Sequence, residues 1–252
     1  MRRFLRGIAI PALAVALWET GSRAGVLPMD TFSRPSDIAV AFAGAFADGS
    51  ILVATWQTVE AALAGFAVAA ALGILVGALL GLSPALERVV GPSIDAVRPI
   101  PSVALMPLTL LLFGFGLQME AWVVAFACVW PVLLVTAAAV RGIEPRLHDV
   151  SRTLELPFAS QLRRIILPAA LGRIVVGLRV SVGISLVVAV TVEIVINPRG
   201  LGYGMIIAQQ SLHPELMYAQ LFWLGLLGWG LNVALTRAAG RWHAFAGADA
   251  EV

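Results

Sequence analysis

Apolar positions in this chain come in long blocks rather than in stripes. Residues 51–82 run for 32 positions with a single charge, Glu60. Further blocks cover residues 5–18, 89–115, 118–140, 169–196 and 217–235, and residues 83–88 are expected as a polar loop. Runs of roughly 20 residues with few charges have the length that a bilayer core demands of a helix. The expectation is an all-α integral membrane protein, one transmembrane domain over residues 1–252 with about six spans. The start, Met1-Arg2-Arg3 and then an apolar run, resembles a signal peptide. Leu17-Trp18-Glu19-Thr20 lacks a small-x-small cleavage site, so a retained first span is expected, broken by Pro11. In the polar stretch 21–50, Pro35-Ser36-Asp37 opens an apolar-periodic piece, 38–46, expected as a short amphipathic helix on the membrane surface.

Three blocks carry internal patterns. Residues 51–82 make a helix of about 48 Å at 1.5 Å per residue, longer than the hydrocarbon, so its first turns are expected at the interface. Gly65, Ala69, Gly73, Gly77 and Gly81 then recur every four residues, a ridge of small side chains that lets another backbone approach closely. Residues 89–115 hold Pro92, Pro99, Pro101 and Pro107 with Arg98 among them. Such backbone survives in a membrane only where protein or a wet path satisfies it, so a bent element lining a pathway is expected. In the fifth block, Glu193 sits near one end and costs a few kcal/mol as an ion unless paired or wetted. It serves an outer gate or subunit contact, caps the surface in water, or meets substrate. Arg98 has two roles open as well: contact with an anionic solute, or a snorkelling side chain paired with Asp95. Gly202-Tyr203-Gly204 matches a potassium-filter triplet, but Arg199-Gly200-Leu201 precedes it, so a turn opened by Asn197-Pro198 is expected there.

Composition agrees and excludes several chemistries. The chain is 60% hydrophobic and 13% charged, about half the charge of a soluble domain. All 17 basic residues are arginine. With no lysine, a P-loop is impossible, so any ATP must be bound by another polypeptide and no cofactor is expected here. Cys128 stands alone, and His148, His213 and His243 lie far apart in loops or tails, which excludes a disulfide and a metal cluster. With both termini inside, twelve arginines fall on cytoplasmic segments and three (Arg23, Arg34, Arg199) on outer ones. That sets the N- and C-termini in the cytoplasm and explains the net charge of +2 without a nucleic-acid surface.

The most polar stretch, 141–168, is a cytoplasmic loop on this topology and is long enough for two short helices. Leu147, Val150 and Leu154 fall at helical spacing, as do Phe158, Leu162, Ile165 and Ile166. Asp149-Val150-Ser151-Arg152, then Leu167-Pro168 and Gly177-Leu178-Arg179, resemble the E-A-A … L-P … G-x-R pattern of the coupling loop in ABC importer permeases. Pro35-Ser36, Gly65-Phe66, Arg98-Pro99-Ile100-Pro101, Pro107 through Phe113-Gly114, and Glu193 with Gly200-Leu201-Gly202-Tyr203 resemble the nitrate, sulfonate and taurine branch. The chain departs from the pattern where Glu155 stands for a Gly of positive φ, so that either the turn is built differently or Leu156-Pro157 supplies it, and where Ala61 replaces an Arg.

The resemblance implies a type I importer permease: not an enzyme, but an inner-membrane subunit that pairs with a second copy and docks on ATPase subunits. It also implies a periplasmic binding protein that delivers a small anion. Asp149, Ser151, Arg152, Leu154, Glu155, Leu156, Pro168, Gly177 and Arg179 are then the coupling candidates. Arg98, Pro99, Pro101, Pro107 and Glu193 are the path candidates, and Gly65, Gly73, Gly77 and Gly81 the packing ridge. The rivals are a secondary transporter working alone, an intramembrane protease and a plain anchor. The first lacks mid-membrane ionisable groups and an inverted repeat. The second lacks a histidine inside a span.

Overall fold

The computed structural model describes residues 2–25, 32–144, 146–147 and 153–248. Among them every regular element is helical: α1 (Arg2–Arg23), α2 (Pro35–Ala47), α3 (Ser50–Leu82), α4 (Pro84–Val97), α5 (Met106–Phe113), α6 (Leu117–Arg141), α7 (Phe158–Gln161), α8 (Leu167–Val195), α9 (Gly200–Gln210) and α10 (Pro214–Ala248). Among the described residues, four spans are long and apolar enough to cross a membrane: Ser50–Leu82, Leu117–Arg141, Leu162–Val195 and Pro214–Arg237. The pair α4 and α5 makes a fifth if counted as one broken span. Helix α1 has 22 residues, about 33 Å, and exposes Ile10, Leu13, Val15 and Leu17 as a first span does.

Two places differ from expectation. Residues 83–88, expected as a polar loop, are instead the start of α4: the Ser83 side chain accepts from Leu86 N–H, and Pro84 occupies the first turn. The block 89–115 is two helices bent by 83°, joined through residues 98–101 and a short 3₁₀ turn, Ser102–Leu105. Pro99 and Pro101 lack an N–H, so the ladder cannot cross that point. At the second place, residues 200–210 form α9 rather than a turn.

The chain forms two compact groups, one of residues up to 58 with 193–227, the other of 59–192 with those from 228 on. In the first, Ala45, Ile51 and Leu201 form a core to which Phe42, Leu216 and Trp223 add. Trp223 Nε1 donates to Thr55 Oγ1 at 2.7 Å. In the second, α6 is the centre, burying residues on all sides from Met119 to Val140. The glycine ridge lies against it. A Cβ on Gly65 would stand 2.5 Å from Val124 Cβ, and one on Gly73 2.8 Å from Val132 Cβ. On Gly77 it would meet the Leu133 carbonyl oxygen at 2.5 Å, and on Gly81 Val140 Cβ at 2.7 Å. The expected close approach is therefore made, and within one chain.

Candidate functional site

Two local constructions hold the candidate residues. The first surrounds Glu193, which is 1% exposed near the end of α8. The N-terminus of α9 leaves backbone N–H groups without helical partners, and three side chains receive them. Gly200 N–H donates to Gln57 Oε1 at 2.8 Å, Leu201 N–H to Thr58 Oγ1 at 2.9 Å and Gly202 N–H to Glu193 Oε2 at 2.8 Å. The Thr58 hydroxyl in turn donates to Glu193 Oε1 at 2.7 Å. A carboxylate at a helix N-terminus also meets the positive end of the helix dipole. Gly200 is required: its φ is +84°, and a Cβ there would collide with the Glu193 carboxylate. Glu193 is therefore neither a solvated cap nor an open anion contact. It latches α9 to the last turn of α8 and the first turns of α3. Gln57 and Thr58 were not singled out from the sequence, where nothing marks two polar residues in an apolar run as caps for a distant helix.

The remaining path candidates belong to the other group. Arg98, Pro99 and Pro101 lie exposed in the turn after α4, and Pro107 is exposed in the first turn of α5. Arg98 Nη1 lies 3.7 Å from Asp95 Oδ1, both side chains about half exposed or more. The pairing expected as one of its two roles is made. Glu120, fully buried in the first turn of α6, is a further embedded acid that the sequence did not bring forward.

The second construction is the polar stretch after α6. Arg141 at the end of α6 pairs with Glu87 of α4, and Arg173 of α8 packs over Gly142. Leu147 and Leu162 pack onto the core formed by Val140, Ile143, Ile166, Ala170 and Ile174. Leu147 is thus spent on its own chain. Leu154 is 62% exposed and Leu156 half-buried. Between them Glu155 adopts φ +48°, the left-handed conformation that the family's Gly takes freely. The positive φ thus falls on Glu155 itself rather than on Leu156-Pro157. Asp149, Ser151 and Arg152 lie outside the described residues. Farther on, Pro168 follows a π turn, Leu162–Ile166, whose closing bond runs from Leu167 N–H to Leu162 O. A proline ring clashes with the carbonyl four residues back, which the wider turn relieves. Gly177 packs on α6, its Cβ position 3.0 Å from Val135 Cβ, and Arg179 Nε donates to Asn232 Oδ1 at 3.0 Å. These two residues serve helix packing inside the second group, apart from the corner at Leu154.

The family model for the binding-protein-dependent transport system inner membrane component matches residues 69–242. The chain belongs to that family. It is a multi-pass inner-membrane permease of the ABC importer type and not an enzyme, and membership implies ATPase and substrate-binding partners. SsuC of Bacillus subtilis (strain 168), named as an aliphatic sulfonates transport permease, is 29% identical over 89% of this chain and 82% of its own length. The bicarbonate transport system permease protein CmpB of Synechococcus elongatus (strain ATCC 33912 / PCC 7942 / FACHB-805) is 32% identical over 69% of this chain and 64% of its own. The fold matches the inward-facing MetNI methionine ABC transporter with a TM-score of 0.66 at 20% identity, covering 74% of this chain and 93% of that one.

Proposed function

We propose that two copies of this permease form the path for a small anion of the sulfonate, taurine or nitrate kind, driven by separate subunits that alone bind ATP. The anionic class rests on relatives named for sulfonates and bicarbonate. A second copy is supported by α5, which exposes Leu108, Leu111 and Leu112, apolar residues left uncovered beside the 83° break. Both termini and the 141–168 loop face the cytoplasm, in keeping with the arginine distribution. ATP-driven closure of the partner moves the loop and tilts the spans joined to it, changing access from outside to inside.

The observation that carries coupling is the corner at Leu154 and Glu155. A left-handed residue costs about 1–2 kcal/mol outside glycine, and here it holds a leucine out in the open. A groove on the ATPase that accepts Leu154 repays that cost. Leu154→Asp then puts a charge in a desolvated contact, at a cost of several kcal/mol. In membranes solubilised in mild detergent, the variant should insert normally yet no longer co-purify with the ATPase. Full retention of the ATPase by both Leu154→Asp and Leu156→Asp would sink this docking role.

A further inference from the structure

Arg179 is a charge inside an apolar span, Leu162–Val195. It lies about 9 Å along the helix axis beyond Arg173, among Val176, Leu178 and Val180. Its side chain is exposed, on the side of α8 where Val176 is 58% and Val180 52% exposed. Its one hydrogen-bond partner among the described residues is neutral: Nε donates to Asn232 Oδ1 of α10 at 3.0 Å. That bond ties α8 to α10 and holds the guanidinium in one plane. It leaves the Nη1–Nη2 edge unspent, and the Asn232 amide nitrogen beside it is a further donor. One turn on and on the same face, Gly183 has no atom within 4 Å of where a side chain would start, so the space next to the guanidinium is open.

We propose, resting on the anion path put forward above, that Arg179 is the residue that meets the transported anion inside the membrane. A small oxyanion such as a sulfonate or nitrate places two oxygens on Nη1 and Nη2 as it passes. An arginine within a span faces a wet path or an opposite charge rather than lipid tails, and this chain supplies no such charge. The carboxylates embedded in its spans, Glu120 and Glu193, are buried at 0% and 1% exposure, so neither is open to the Arg179 of a second copy. The planar fork matches two oxygens of one oxyanion, a selectivity that a point charge lacks. One cation with one neutral neighbour also holds its anion loosely, and a solute in transit must leave as readily as it enters.

The test uses phosphatidylglycerol-containing vesicles that carry the permease, its ATPase and its binding protein, supplied in turn with labelled taurine, ethanesulfonate and nitrate. Arg179→Gln and Asn232→Asp should each lower ATP-driven uptake about tenfold, the effect of losing one charge-assisted pair. Asn232→Asp discriminates between roles. Its carboxylate strengthens the tie between α8 and α10, so the thermal midpoint should not fall, yet it occupies the guanidinium and repels the anion. Wild-type uptake by Asn232→Asp overturns the proposal, and so does a lowered midpoint in that variant, which would leave the pair a helix tie only. Uptake by the unmutated protein that drops to the Arg179→Gln level in vesicles of phosphatidylcholine alone would give the guanidinium to an anionic headgroup instead. Loss of the two-copy complex on size exclusion in Arg179→Gln would give it to the second copy, and either result overturns the site. If the unmutated protein takes up none of these anions with ATP, the anion path itself falls and this site with it.

Discussion

Helix α3 is fastened in two ways along its length, and the two do not resemble each other. Its first turns offer Gln57 and Thr58 to backbone donors of α9, joined by Glu193. Its later turns offer α6 a ridge of glycine and alanine flanked by apolar side chains such as Val76 and Leu80, and nothing polar at the four glycines. The first is a polar construction, strong because its members are desolvated and each is answered. The second holds by shape alone. Two threonines make the contrast plain. Thr58 and Thr136 are both wholly buried. Thr58 accepts one hydrogen bond and donates another, whereas Thr136 Oγ1, close to Gly77, finds no partner among the described residues. Polarity in the latch is structure; in the seam it is a burden.

The largest effect is expected in the seam. Gly77→Leu drives a side chain into the Leu133 carbonyl, costing about 3 kcal/mol or more, and should abolish the folded permease on size exclusion in detergent. A monodisperse variant with wild-type melting would show that α3 and α6 are not in close contact. Gly200→Ala comes next, combining a left-handed backbone with a clash on Glu193, for about 3 kcal/mol. Its thermal midpoint in detergent should fall by several degrees, and an unchanged midpoint would remove the latch from the account. The threonines then test the contrast with opposite signs. Thr58→Val should destabilise by about 2 kcal/mol, Thr136→Val should stabilise by about 1 kcal/mol, and equal signs would erase the distinction. Smallest is Glu155→Gly, which relaxes the left-handed corner and should gain about 1 kcal/mol while leaving uptake intact.

Spans were legible because they are long and nearly free of charge. Residues 118–140 became Leu117–Arg141, and 169–196 became Leu167–Val195. The glycine ridge was legible as a ridge, though not as a seam on α6, since spacing names one face and not its mate. Glu155 was only half legible: the family pattern marked the place of a positive φ, but the sequence pointed to a rebuilt turn or to Leu156-Pro157, whereas Glu155 itself takes it against its own preference. The latch was hidden. Thr58 and Glu193 stand 135 residues apart, and no local period connects them. The helix at 200–210 was missed for the same reason, because its caps come from other helices rather than from its own preceding residues. Leu147 and Leu154 share one helical spacing, yet one packs on the core and the other stays exposed, a division that only tertiary contacts decide.

The central claim is that this chain moves a small anion only when an ATPase pushes on the corner at Leu154. It is tested most directly in vesicles carrying the permease, its ATPase and its binding protein, by following uptake of radiolabelled taurine or another small sulfonate. Uptake should require ATP and the ATPase, and Leu154→Asp should reduce it at least tenfold, in line with a few kcal/mol lost at the contact. Uptake by the permease alone, or undiminished uptake in Leu154→Asp, would contradict the account.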